Sequence, residues 1–240
     1  MTVVRKITEG KLAGTSIHEL FPTSLLSWLY PDSLENELNF LKTLDHSDSE
    51  DHKRERRAYR STNSYIIQTY PKELSKIRNF IREKLDIYTE EIIGTFDKLC
   101  ITQNWFMTCD IGLEHPSHLH PNSILSGILY FQDSDNRVPG IKFMQAGAGD
   151  RPFLLHGTRG SGFSNHIVLK QGKETPYNCY YHEVDLKYGQ LLIFPSNLMH
   201  WVTLNSSNTT RYSFSFNTWS THFGSEGTLN ELDYDKMDDI

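Results

Sequence analysis

Residues 115–131 read HPSHLHPNSILSGILYF, and the fold is decided by how this stretch is taken. His118 and His120 are one residue apart. In an extended strand that spacing sends both side chains to the same face, close enough to share an ion. The β-prone run 125–132 (LSGILYFQ) follows at once, so the pair sits at the entrance to a strand. A third imidazole comes from GQLLIFPSNLMHWV (189–202), where an apolar strand feeds the turn Pro195-Ser196-Asn197 and then His200. A short-spaced pair plus one distant His fits a three-ligand open site, with its remaining positions left for substrate, oxygen or water. Imidazole suits zinc, copper, nickel and iron alike, so ligand type does not choose the metal.

Working outward, further β-prone runs at 102–110, 140–145, 190–194 and 211–217 are bounded by Gly, Pro, Asn, Asp and Ser. Their spacing suits an antiparallel barrel or sandwich. The run RYSFSFN (211–217) alternates strictly: Arg211, Ser213, Ser215 and Asn217 face one side, Tyr212, Phe214 and Phe216 the other. The arginine fork matches a carboxylate two bonds at a time, and Ser213 on the same face adds a donor. The strand therefore offers a carboxylate seat beside the metal. Asn122, Ser123 and Ser126 are candidates for hydrogen bonds near it, against a plain turn-forming role.

The first hundred residues have another texture. Leu25, Leu26, Trp28, Leu29, Leu34, Leu38, Leu41 and Leu44 recur at near-helical spacing, and Leu74, Ile77, Phe80, Ile81, Leu85 and Ile87 repeat on one face behind Pro71. Residues 46–60 (HSDSEDHKRERRAYR) are almost wholly polar and read as a solvated loop. The Gly-rich stretch 147–185 is long for a simple connection, and part of it reads as a lid. One domain over 1–240 is expected: 1–100 mainly helical and bracing, 101–220 the β core, 221–240 an acidic tail.

A formal net charge of −6 over 240 residues repels a phosphate backbone at long range and argues against a nucleic-acid partner. No apolar run approaches the length of a membrane span, and the N-terminus lacks the apolar segment of a secretory signal. The three cysteines, Cys100, Cys109 and Cys179, form no CxxC pair and read as buried reduced thiols. The expected location is the cytoplasm.

The ordered set Asn104-Trp105-Phe106, HPSHLHPNSILSGILYF, GIKF (140–143), GQLLIFPSNLMHWV and RYSFSFN resembles the iron(II)- and 2-oxoglutarate-dependent oxygenases common in bacteria and tailed phages. Each piece alone is weak, and the ordered set, spanning about Glu19 to Asn217, is specific. The resemblance implies a mainly β fold with N-terminal helices, a double-stranded β-helix of the jelly-roll or cupin-like kind. It implies a dioxygenase that uses Fe(II), 2-oxoglutarate and O2. The expected reaction is hydroxylation of an unactivated C–H of a small amino-acid-like or peptide substrate, releasing succinate and CO2.

Carried over residue by residue, His118 matches the first metal ligand, His120 stands at the usual acid's position, and His200 matches the distal ligand. Arg211 with Ser213 matches the seat for the far carboxylate of 2-oxoglutarate, and Tyr130 is a further partner for it. Asn122, Ser123, Ser126 and Asn217 are expected near the substrate, with Leu125, Ile128, Ile141, Phe143 and Phe194 lining or backing the pocket. The wider superfamily usually ligates with two His and one carboxylate. Asp110, Glu114, His115 and Asn122 therefore stay open as alternative ligands. Halogenating relatives replace the acid with a non-ligand, whereas His120 can ligate. A cupin-type three-His dioxygenase without cosubstrate is a second reading, since Gly112 and His118-Leu119-His120 reproduce the opening of a cupin motif. That motif's glutamate is missing, with Ile124 and Leu125 in its place. A non-catalytic metal- or sugar-binding barrel is the third.

Overall fold

Strands in this chain form where apolar and polar residues alternate, and the long ones lie in one large sheet. The computed structural model describes residues 3–19, 22–46, 49–95, 97–132, 140–144, 175, 179, 181–224 and 232–233. In chain order the strands are β1 (Val3–Lys6), β2 (Ser16–Glu19), β3 (Leu26–Leu29), β4 (Tyr59–Arg60), β5 (Leu99–Cys109), β6 (His115–His118) and β7 (Leu125–Tyr130). They continue with β8 (Ile141–Met144), β9 (Tyr181–Val184), β10 (Gln190–Pro195), β11 (His200–Val202), β12 (Arg211–Ser220), β13 (His222–Phe223) and β14 (Leu232–Asp233). The α-helices are α1 (Glu35–Leu41), α2 (Ser49–Arg54), α3 (Ile66–Thr69) and α4 (Ser75–Tyr88).

A six-stranded sheet runs β3-β10-β7-β12-β5-β4, and a four-stranded sheet runs β6-β11-β8-β9. Every pairing in both is antiparallel. Two such sheets enclosing one core make the double-stranded β-helix. The larger sheet is buried on both faces. Phe106, Leu129, Leu191, Ile193, Phe214 and Phe216 pack outward with Ile77, Phe80, Ile81 and Leu85 of α4. Their neighbours Ile128, Tyr130, Leu192 and Phe194 turn inward against Ile141 and Phe143 of the smaller sheet. The two-residue period of a strand makes this division automatic. Each large side chain buried this way stabilises the fold by roughly 1.5–3 kcal/mol. Gly127 leaves room for one of them, because a Cβ there would stand 2.2 Å from the Phe216 ring.

Helix α4 follows its sequence pattern with one change. Ile77, Phe80, Ile81, Leu85 and Tyr88 are buried, while Ile87, expected on that face, is exposed. The helix runs on into a π-helical turn, Thr89–Ile93, and stops at Gly94, whose φ of 73° is the left-handed cap glycine favours.

The first hundred residues depart further from expectation. Leu26–Leu29, read as helical, is an edge strand whose alternate residues Leu26 and Trp28 are half-buried and pack on the outward core. It pairs with β10, Leu191 opposite Trp28. The unpaired edge of β10 captures the segment, and a local leucine spacing cannot report that. Within 46–60, residues Ser49–Arg54 are helical and Ala58 is buried, so this stretch is not a wholly solvated loop. Most of 147–185, the expected lid, and most of the acidic tail lie outside the described residues. No helix among the described residues is long and apolar enough to cross a membrane.

Candidate active site

The smaller sheet brings the histidines together. His118, last residue of β6, lies opposite His200, first residue of β11. Two residues beyond β6, the His120 backbone N–H donates to Ser196 O at 2.9 Å, which fixes the HxH segment against the turn after β10. One ring nitrogen from each of His118, His120 and His200 lies within 4.8 Å of the others.

All three rings are held by their Nδ1 atoms. His118 Nδ1 lies 2.8 Å from Pro116 O, and His200 Nδ1 lies 2.9 Å from Leu198 O. A carbonyl oxygen only accepts, so both Nδ1 atoms carry the proton and both Nε2 atoms keep a lone pair. His120 Nδ1 lies 2.5 Å from Asn217 Oδ1 and 3.0 Å from Ser126 Oγ. Ser126 Oγ also donates to Asn217 Oδ1 at 2.9 Å. Burial pushes the His200 imidazole down to about 3, helped by the nearby His118 and against the pull of its bond to Leu198. Burial also lowers His118 and His120, opposed by their bonds to Pro116 and Asn217. Three neutral, oriented imidazoles fit a borderline divalent ion such as iron(II). Behind them the Phe194 ring meets His200 edge-on, with centroids 4.9 Å apart and planes at 67°.

The larger sheet supplies the other wall. Trp105, Met107 and Cys109 of β5, Ile128 and Tyr130 of β7, and Arg211, Ser213 and Ser215 of β12 all line a recess of about 510 Å³ that opens to solvent. These residues are two apart on each strand, and register aligns them: Arg211 opposite Cys109, Ser213 opposite Tyr130. Arg211 is buried. Its Nη2 amino group donates to Thr203 O at 3.1 Å and to Cys109 Sγ at 3.2 Å. Among the described residues the fully buried Tyr130 hydroxyl has no hydrogen-bond partner, and burial pushes its pKa up despite the opposing charge of Arg211. A buried cation beside an unsatisfied hydroxyl suits an incoming carboxylate. The recess therefore fits a small dicarboxylate as well as a metal.

Several expectations change here. Asn122 is exposed and does not line the recess. Ser123 is a turn residue: its hydroxyl donates to Leu125 O at 2.7 Å and accepts from Thr218 N at 3.1 Å. Ser126 and Asn217, expected near substrate, stand behind His120 and orient it. Asp110 is engaged elsewhere, accepting from Tyr59 Oη at 3.0 Å and Thr210 Oγ1 at 2.8 Å. Neither it nor Glu114 joins the metal-ligating group among the described residues. Leu125 packs outward with the helices, whereas Ile128 does line the recess. Cys109 is buried, but Cys100 and Cys179 are only partly so, and all three are free thiols. Ala58, Met107, Cys109, Val202 and Ser215 were not picked out from sequence as recess residues. The alternation of β5 was a usable signal for two of them, once its pairing with β12 is known.

Residues 103–217 match the family described as "Putative 2OG-Fe(II) oxygenase". That match spans the β-helix core, from β5 to β12. That description names iron(II) and 2-oxoglutarate, which a three-imidazole group and a buried arginine in one recess could hold. HygX from Streptomyces hygroscopicus, solved with nickel and 2-oxoglutarate bound, is 12% identical over 82% of each chain, with a TM-score of 0.51. The 2-oxoglutarate-dependent carbocyclase SnoK from nogalamycin biosynthesis is 10% identical over 83% of this chain and 81% of its own, with a TM-score of 0.52. At such identities the likeness is one of fold. No curated protein sequence matches this chain significantly.

Proposed function

We propose that this protein is a 2-oxoglutarate-dependent oxygenase that holds iron(II) on His118, His120 and His200, seats the far carboxylate of 2-oxoglutarate on Arg211, Ser213 and Tyr130, and hydroxylates an unactivated C–H of a small amino-acid-like or peptide substrate. The convergence of three Nδ1-anchored imidazoles on a recess that also holds buried Arg211 carries this reading. When bound, iron and 2-oxoglutarate supply the oxidation: O2 gives one atom to succinate, with loss of CO2, and one to the substrate C–H.

The chain's own part is orientation and exclusion of water. Pro116 O, Leu198 O and the Asn217–Ser126 pair keep each ring in one tautomer and one direction. Arg211, held by Thr203 O, presents its charge without a search through rotamers. Met107, Ile128 and Val202 make part of the wall apolar, which strengthens the electrostatics inside. In this reading 1–240 is one domain, with 1–100 bracing the larger sheet. It acts in the cytoplasm, a setting that suits three free thiols.

The test is anaerobic addition of iron(II) and 2-oxoglutarate to the folded protein. Chelation of the metal by the 2-oxo acid gives a weak visible charge-transfer band, and its absence overturns the proposal. Succinate release across free amino acids, peptides and nucleosides, with His200→Ala as the blank, then identifies the substrate class. Turnover that survives Arg211→Ala and ignores 2-oxoglutarate would instead establish a cupin-type dioxygenase.

A further inference from the structure

A regular strand turns residues 115 and 118 to opposite faces, because their separation is odd. Here both line the recess. The cause is a register shift: His200 lies opposite His118, but Val202 lies opposite His115, so β6 advances three residues while β11 advances two. The extra residue is a β-bulge, a device that re-aims side chains. Pro116 falls inside it, where a residue with no N–H to give the ladder is tolerated. Just upstream the backbone is fixed on both sides of Glu114, whose N–H donates to Arg56 O at 3.0 Å and whose carbonyl accepts from Ala58 N at 2.7 Å. His115 is thus held in the recess by backbone pairing.

Its chemistry there is unspent. Among the described residues four buried side-chain polar atoms lack a hydrogen-bond partner: Glu37 Oε2, His115 Nδ1, Tyr130 Oη and Gln132 Oε1. Two of these, on His115 and Tyr130, belong to residues of the same recess, which Arg211 also lines. The His115 ring meets the His118 ring edge-on, with centroids 4.4 Å apart and planes at 83°, yet His115 is outside the metal-ligating triad. An imidazole kept only for packing would be better replaced by an apolar ring, since its buried nitrogen goes unsatisfied.

We propose that His115 is a further binding residue for the 2-oxo acid, hydrogen-bonding the bound dicarboxylate through its buried Nδ1 and taking no part in holding the metal. This rests on the reading of the site given above.

The experiment uses full-length protein loaded with redox-inert zinc, with zinc and 2-oxoglutarate affinities measured by calorimetry for wild type, His115→Phe, His115→Gln and His200→Ala. His115→Phe should bind zinc within about threefold of wild type and 2-oxoglutarate about 10- to 100-fold more weakly, the loss expected for one hydrogen bond to a charged group. His115→Gln, which keeps a donor, should recover much of that loss, and His200→Ala should lose zinc. His115→Leu replaces the Phe variant if that does not fold, as judged by thermal unfolding of the zinc-free protein. Zinc loss in His115→Phe comparable to that in His200→Ala would make His115 a ligand and overturn the proposal. So would unchanged 2-oxoglutarate affinity, or equal weakening in the Phe and Gln variants, which would mark a packing role. Wild-type protein that binds zinc but not 2-oxoglutarate overturns the underlying reading of the site as well.

Discussion

The two sheets of the barrel are built to different standards. In the larger one, β7, β10 and β12 pair over five or more residues and lie between two apolar layers. In the smaller one, β6, β8, β9 and β11 are three or four residues long and the ladder slips at Pro116. Yet the smaller sheet carries His118, His200 and His115, while the larger carries Arg211, Ser213 and Tyr130 and props up its neighbour. Asn217 and Ser126 reach from β12 and β7 to hold His120, and Phe194 of β10 packs against His200. A short irregular sheet can aim side chains that a regular one cannot, provided a rigid sheet stands behind it.

That contrast predicts a separation between loss of stability and loss of ligand. Phe214→Ala, in the larger sheet, removes a fully buried ring and should cost about 3–5 kcal/mol in urea unfolding. A cost below about 1 kcal/mol would mean the larger sheet is not the structural half. His200→Ala should do the converse, weakening zinc or iron binding by more than about 100-fold while costing less stability than Phe214→Ala. The ligand loss should exceed the 10- to 100-fold usual for a residue that merely supports a ligand.

Asn217→Ala sharpens the comparison, because it lies in the larger sheet and acts on the smaller. Metal affinity should fall about 10- to 100-fold as the His120 ring loses its acceptor, measured by zinc titration; no change would uncouple the sheets. Glu183→Gln at the outer edge of the smaller sheet should matter least. Its ion pair with Lys142 spans 3.4 Å and is partly solvated, so unfolding should shift by less than about 1 kcal/mol.

The parts of the protein legible from sequence are those in which neighbours along the chain decide. The runs at 125–132, 190–194 and 211–217 became β7, β10 and β12 because alternation and β-branched or aromatic content are local. The α4 pattern erred only at its last member, where Tyr88 rather than Ile87 is buried. Short strands were hidden: β6 and β11 hold few residues and no alternation, and β3 is defined by the β10 edge it joins. Among candidate site residues, His118, His120, His200 and Arg211 stand out in the sequence by type and spacing. Ser126 and Asn217 were noticed, but their side-chain partner, His120, is 97 residues from Asn217.

The sequence by itself determined the chemistry on offer: an HxH pair, a distant His after a strand, and an arginine heading an alternating strand. The two-residue period is enough to put Arg211, Ser213 and Ser215 on one face of β12, whereas His120 lies beyond the end of β6. Only the tertiary structure decided that the three imidazoles meet, which atom of each is tied back, and that His115 shares the recess. Those outcomes depend on register between strands far apart in the chain and on one extra residue in β6, and no local pattern encodes how two distant segments align.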